Sequence, residues 1–462
     1  MSALRAGAGR VSITPPLSAP HASWGAQVHV LPDGVEADLW ATALVLDDGE
    51  RRVAWIDLDL VLISRAESDA IRRAVANAIG SAPELVRVSV THNHAGPPPS
   101  SWNWTSLGAE ALAGYYAQLP AYAAGAARLA LVGLQPVRVA AGMGASRVAV
   151  NRREIAPDGR TVTGVNLAGD IDPDVFVLRL DDLAGQAVAT VAGYTMHPTS
   201  LGPGNRLVSS DWPGHLKRTV EALVGGVCLF AQGCTGDIGP GPDGYADDVA
   251  VPRRLGAQVG SEAARVALGL PAAAYRHLRV LESGAPLGIW ERAPSADADA
   301  TIALASRWVE LPLGPQPPLA EAQGRVAEAQ AALDAARASG ASAAAISAAT
   351  FVVKRANMTA SRAALYGGKT HEPVEVQGLR IGPALLIGME GEPFSAIGQA
   401  VKAASPSPVT WCGGYCGGWV GYIPTPDAYP IGGYEVETSP FAPEAARIIT
   451  EAAIGLVGGM FG

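Results

Sequence analysis

Residues 51–90 read RRVAWIDLDLVLISRAESDAIRRAVANAIGSAPELVRVSV, and their order decides the fold class. RRVAWIDLDLVLI (51–63) is dense in Val, Ile and Leu and predicts a buried strand. SRAESDAIRRAVANAIG (64–80) opens on a Ser, carries apolar residues at helical spacing and stops on a Gly, which predicts a helix. ELVRVSV (84–90) is a second strand. Strand, helix, strand at this spacing is a crossover unit, the building block of an α/β sheet. Further strands are predicted at 136–142, 174–180 and 187–195, and LVGGVCLFAQG (223–233) is another buried run. The fold class is therefore α/β, with a mixed layered α+β arrangement as the alternative.

The second strand runs into THNHAGPPPSS (91–101), so His92 and His94 stand where it leaves the sheet. Open α/β sheets place their chemistry at the carboxyl ends of strands. In an extended segment residues two apart point the same way, so both imidazoles face one side, as two metal ligands or as one ligand and a partner. VATVAGYTMHPTSLG (188–202) repeats the pattern and brings His197 to a strand end. His21, His29, His215, His277 and His371 lack this setting and are expected as solvated or hydrogen-bonded surface residues. VSSDWPGH (208–215) contributes Asp211, FAQGCTGDIGPGPDG (230–244) is a glycine-rich loop holding Asp237, and LLIGMEGEPFS (385–395) offers Glu390 and Glu392. That loop has neither the Walker pattern nor GxGxxG, so no nucleotide motif is present. WCGGYCGGWVGYIPTPDAYPIGGYEVE (411–437) adds Tyr415, Tyr422, Tyr429 and Tyr434.

The bulk numbers narrow the partners. The chain has 462 residues, 48% hydrophobic and 17% charged, with 54 Gly and 35 Pro, which fits a loop-rich globular enzyme. A net charge of -9 without a Lys/Arg run argues against nucleic acid and anionic membrane surfaces, leaving a small-molecule substrate. The N-terminus shows no apolar core behind a basic segment, and no apolar run reaches bilayer length, so no stable membrane association and a cytoplasmic location are expected. Four cysteines make no disulfide framework, and Cys412 and Cys416 in CGGYC read as ordinary thiols. Residues 316–366 are Ala-rich and broken near Ser339 and Gly340, which predicts an antiparallel helical hairpin inserted in one domain spanning 1–462. The oligomeric state is left open.

Eight short motifs occur in an order that resembles one known family. RAGAGRVSITPP, THNHAGPPP, Asn151-Arg152, HPTSL, SSDWPG, QGCTGDIGP, the GEP around Glu392 and GYIPTP are similar to the catalytic N-terminal domain of the neutral/alkaline (non-lysosomal) ceramidases. The resemblance implies a ceramidase-like catalytic domain with one Zn2+ per chain, held by His92, His197, Glu392 and Tyr422. It further implies that His94, Arg152 and Tyr434 meet the substrate or its developing oxyanion. Asp237 or Asp211 would then fix a ligand or a loop, and Glu390 is the rival to Glu392. Zinc takes N and O donors and activates water, so this set suits hydrolysis of an amide, ester or lactone in a small, soluble substrate. The alternatives are a metal-dependent lyase, isomerase or glycoside-processing enzyme, a true ceramidase, and a non-catalytic binding homologue. Two departures are visible. Ceramidases carry a G-D-x-S-P segment with a serine at the reaction centre, where this chain has Gly239. They also carry a C-terminal β-sandwich domain, which is not expected here.

Overall fold

The computed structural model describes residues 4–21, 23–27, 29–101, 106–270, 275–282, 288–294, 299–407 and 409–461. Eight strands form the larger sheet: β1 (Arg5–Ser12), β2 (Trp40–Asp47), β3 (Arg52–Leu58), β4 (Val86–Val90), β5 (Gln135–Ala145), β6 (Asp174–Asp182), β7 (Ala187–Tyr194) and β8 (Val227–Gln232). Their order is β8-β7-β6-β5-β1-β2-β3-β4. The interior neighbours are antiparallel, while β3/β4 and β7/β8 at the two ends are parallel. A smaller sheet orders β9 (Ile302–Pro312), β10 (His371–Ile381), β11 (Ala384–Met389) and β12 (Val409–Gly413), and β11/β12 is its parallel pair.

Period-two alternation stacks these sheets. Leu44 and Leu46 of β2 face a core shared with Leu379 of β10, Leu386 of β11 and Trp411 of β12, so the two sheets pack face to face. Ala41, Ala43 and Val45 point the other way, against α1 (Arg65–Ile79) and α2 (Ala109–Val132). At the far end of the same sheet, Val175, Ala192 and Phe230 pack on α3 (Asp211–Val224) and α4 (Ala250–Gly269). The outer face of the smaller sheet carries α7 (Ser395–Ala403) and α9 (Ala445–Gly459). The result is four layers, helix, sheet, sheet, helix, a mixed form of the expected α/β class.

The crossover read from residues 51–90 is present as β3, α1 and β4. Ser64 closes a capping box with Glu67, and Gly80 ends the helix in the left-handed region at φ 66°. Beyond the expected elements are β1, β2 and the long α2, whose helix tolerates Pro120 in its interior. Helices α5 (Leu319–Ala338) and α6 (Ala343–Tyr366) occupy the Ala-rich segment. From α6, Lys354 donates to the carbonyls of Trp24 (3.1 Å) and Gln27 (2.7 Å), and Arg362 donates to the carbonyl of Glu437 (2.7 Å). Arg355 adds an ion pair to Glu437, so the hairpin is tied to two separate loops. Among the described residues, no helix is long and apolar enough to cross a membrane.

Candidate metal centre

Three strands that belong to parallel pairs deliver the site. Two residues past β4 comes His92, three past β7 comes His197, and three past β11 comes Glu392. Their side chains converge although they lie far apart in sequence. His92 Nε2 is 2.9 Å from His197 Nε2, 3.2 Å from His94 Nε2 and 3.3 Å from Glu392 Oε2. His197 Nε2 lies 3.8 Å from the same carboxylate oxygen. His92, His197 and Glu392 are almost fully buried, and His94 is half-buried.

The opposite ring nitrogens fix the proton positions. Nδ1 of His92 donates to the Val61 carbonyl (2.8 Å), Nδ1 of His197 to that of Thr235 (3.0 Å) and Nδ1 of His94 to that of Ser23 (3.2 Å). A carbonyl only accepts, so each ring carries a proton on Nδ1 and turns its Nε2 toward the centre. Burial, then His92, lowers the His94 pKa to about 3, and burial pushes that of His197 well below its ordinary value, so both rings are neutral at neutral pH. Burial acts to raise the Glu392 carboxyl, but His92, Trp419 and Arg152 outweigh it and hold the pKa at about 2.

Three inward Nε2 atoms and a carboxylate at this spacing form a donor set suited to a cation. In a tetrahedral zinc site with bonds of about 2.0–2.1 Å, donor atoms sit about 3.3 Å apart, the scale seen here. The three imidazoles can hold a metal ion, their donor atoms all lying within 4.8 Å of one another. Outward N–H groups on carbonyls are the usual means by which proteins orient metal-binding histidines.

Backbone strain gathers at the same place. Among the described residues, four that are not glycine have positive φ: His92 (65°), Asp211 (49°), Tyr245 (60°) and Tyr415 (60°). Such conformations persist only where the surroundings hold them. His92 stacks on Tyr415 at 4.2 Å, and Tyr415 Oη reaches Thr235 Oγ1 (2.6 Å) and Glu392 Oε2 (3.3 Å).

The remaining predicted residues fall into three groups. Arg152 is buried, bonds Glu435 (2.8 Å) and donates to the Tyr422 hydroxyl (3.1 Å). Burial opposes its charge, but Tyr422 and Glu435 more than compensate, so it remains cationic. The Tyr422 ring meets that of Tyr434 edge-on at 5.8 Å. Asp237 Oδ1 accepts from Ser395 N (2.7 Å) and Oδ2 from Ser395 Oγ (3.0 Å), which caps α7 just beyond Glu392. Asp211 accepts from Leu201 N (3.1 Å) and from the Ser200 hydroxyl, fixing the loop after His197. Both aspartates hold loops and touch none of the imidazoles.

The Tyr422 hydroxyl accepts from Arg152 (3.1 Å) and lies near enough to Glu392 for the carboxylate to add to burial in raising its pKa, while Tyr415 Oη stands 3.3 Å from Glu392 Oε2. Glu390 is taken by Arg65 (2.7 and 2.8 Å) and by Glu375 N, which removes it as a rival. His21 and His29 are buried and bonded to each other (2.9 Å), correcting the surface expectation. The His277 side chain lies outside the described residues. Trp24 and Trp419 carried no sequence signal; the first lies 5.1 Å from His94, and the second donates to Glu392 (2.8 Å).

Residues 4–247 match the family model for neutral/alkaline non-lysosomal ceramidase, N-terminal. The chain belongs to this family. Within the ceramidase family, neutral ceramidase of Pseudomonas aeruginosa is 28% identical over 219 residues, which are 45% of this chain and 32% of that protein. Neutral ceramidase B of Dictyostelium discoideum is 30% identical over 84 residues, 16% of this chain and 12% of that protein. The matches thus span a third or less of the length of these ceramidases. The crystal structure of neutral ceramidase from Pseudomonas aeruginosa shares the fold, with a TM-score of 0.68 at 20% identity over 100% of this chain and 75% of that one. A ceramidase complexed with C2 gives 0.68 at 18% identity, covering 100% and 76%.

Proposed function

We propose that this chain is a zinc-dependent hydrolase that cleaves the amide bond of a small N-acyl compound. The observation that carries the reading is the convergence of three inward-facing imidazole nitrogens on one buried carboxylate, each ring locked from behind by a backbone carbonyl. The names of the relatives, all neutral ceramidases, favour an N-acyl substrate over an ester or lactone. His92, His94, His197 and Glu392 would hold the ion, with Tyr422 and Tyr415 as neighbouring phenols. When bound, zinc would lower the pKa of water toward neutrality and polarise the acyl carbonyl.

The chain supplies the rest. Arg152, cationic and buried, offers fixed positive charge where the acyl oxygen becomes negative, and a charge in so dry a setting is worth far more than in water. Glu435 holds Arg152 and Arg153 together, which sets the direction of the guanidinium in advance. Tyr434 stays protonated, its pKa pushed up to about 12 chiefly by burial, and serves as a donor toward the substrate. Asp237 and Asp211 keep the Glu392 and His197 loops in register.

The test is chemical. Purified protein is assayed for metal, and N-octanoyl-sphingosine and N-octanoyl-7-aminocoumarin are incubated with it in heavy-oxygen water. One zinc per chain and label in the released octanoate are expected. Product formed without label would point to a lyase, and a chain that retains no zinc would remove the proposed chemistry.

A further inference from the structure

One buried hydroxyl at the rim of the centre, that of Tyr245, lacks a well-formed hydrogen bond. Tyr245 adopts φ 60°, and its backbone is stitched to the loop that follows His197. Tyr245 N donates to the Thr199 carbonyl (3.0 Å) and Ala246 N to that of Ser200 (2.9 Å). Gly202 permits the approach, since a Cβ there would fall 2.2 Å from the Tyr245 carbonyl oxygen. The ring, half-buried, stands edge-on to Trp24 at 5.8 Å, and Trp24 lies 5.1 Å from His94.

The hydroxyl points inward. It is buried, and neither it nor the neighbouring Thr199 hydroxyl completes a well-formed hydrogen bond. The space it enters is left open by Gly239, where a Cβ would lie 3.0 Å from Tyr245 Oη and 3.2 Å from Arg152 Cβ. A buried hydroxyl without a partner costs about 1–3 kcal/mol, and a tyrosine held at positive φ costs about another 1–3 kcal/mol. The backbone bonds to Thr199 and Ser200 hold the turn, and a ligand that accepts from the hydroxyl would offset the cost of its burial. Burial raises the phenol's pKa against the pull of Arg152, so at neutral pH the group is a donor.

We propose that the Tyr245 hydroxyl, in the space opened by Gly239, is a substrate-contacting group that donates a hydrogen bond to the oxygen of the acyl group. The proposal rests on reading the centre as that of an acyl hydrolase. Together with Arg152 it would give the acyl oxygen one neutral and one charged donor, brought by a loop and a strand.

The test uses the full chain and sodium octanoate, followed by calorimetry in zinc-loaded and EDTA-treated protein. In Tyr245→Phe, octanoate affinity is expected to fall about tenfold in both states, the worth of one hydrogen bond. Zinc retention should be unchanged, and the melting temperature unchanged or higher, because an unpartnered hydroxyl has been removed. A merely structural tyrosine would do the reverse, lowering the melting temperature and leaving affinity intact. Gly239→Ala, which crowds the hydroxyl without deleting it, is expected to weaken octanoate in the same direction. Equal affinity in Tyr245→Phe and wild type, or no octanoate binding by wild type, overturns the proposal. Failure of the hydrolase reading would appear separately, as missing zinc or missing label, with the octanoate comparison in EDTA-treated protein still standing.

Discussion

Zinc loading should raise thermal stability by an amount that the architecture of the centre lets one calculate. The three inward imidazole nitrogens are fixed by the fold, so under the proposed function zinc would bind the native chain and find no such arrangement in the unfolded one. At a buffered free zinc concentration 1,000 times the dissociation constant, this linkage contributes about 4.1 kcal/mol. An unfolding entropy of about 2.1 cal/mol/K per residue over 462 residues is about 1 kcal/mol per degree, so the melting temperature should rise by about 4 °C. His92→Ala deletes the donor nearest all the others. If affinity drops about a hundredfold, the same zinc buffer leaves about 1.4 kcal/mol and a shift of about 1.5 °C. Differential scanning calorimetry of both proteins, with and without chelator-buffered zinc, reads this directly. Equal shifts in the two proteins, or no shift in wild type, would refute the assignment of the ion to these imidazoles.

Two further outcomes follow from the surroundings of the centre. Asp237→Ala removes the cap on α7 and loosens the loop bearing Glu392; zinc affinity measured by chelator competition should fall about 10- to 100-fold, the usual effect of losing an orienting partner. Lys217→Met leaves Asp57 and Asp59 buried beneath the sheet without their cation, which should cost about 3–5 kcal/mol in urea unfolding at pH 8. Burial already raises Asp57 to about 6 against an ordinary 3.8, and the raised acid is neutral below that value. Without Lys217, which holds it down, the acid is raised further, so the variant should recover stability as pH falls from above 6 toward 3.8, and a flat profile would count against the explanation.

Local signals were legible where local physics decides. Ser64 and Gly80 mark the ends of α1 because a capping hydroxyl and a left-handed glycine act within one turn. His92, His197 and Glu392 were readable because each follows a strongly apolar strand, and strand ends in parallel pairs point to one side. What escaped depended on distant packing. Helix α2 spreads its apolar residues around the cylinder and contains Pro120, so neither periodicity nor boundary reveals it. The contact of Tyr415 with Glu392 depends on the left-handed turn at Tyr415, which nothing local announces in a glycine-rich stretch shared by several tyrosines. Trp24 sits on a loop whose position is set by Lys354, more than three hundred residues away. His21 and His29 resemble surface histidines until the loop around them is folded against Leu207, whose carbonyl accepts from His21.

The two ties of α6 have a mechanical meaning. Lys354 grips the loop beneath His94, while the adjacent Arg355 and, about two turns on, Arg362 grip the segment that begins at Tyr434. One helix thus ties together two stretches of chain more than four hundred residues apart, and a displacement of α6 would be felt by both at once.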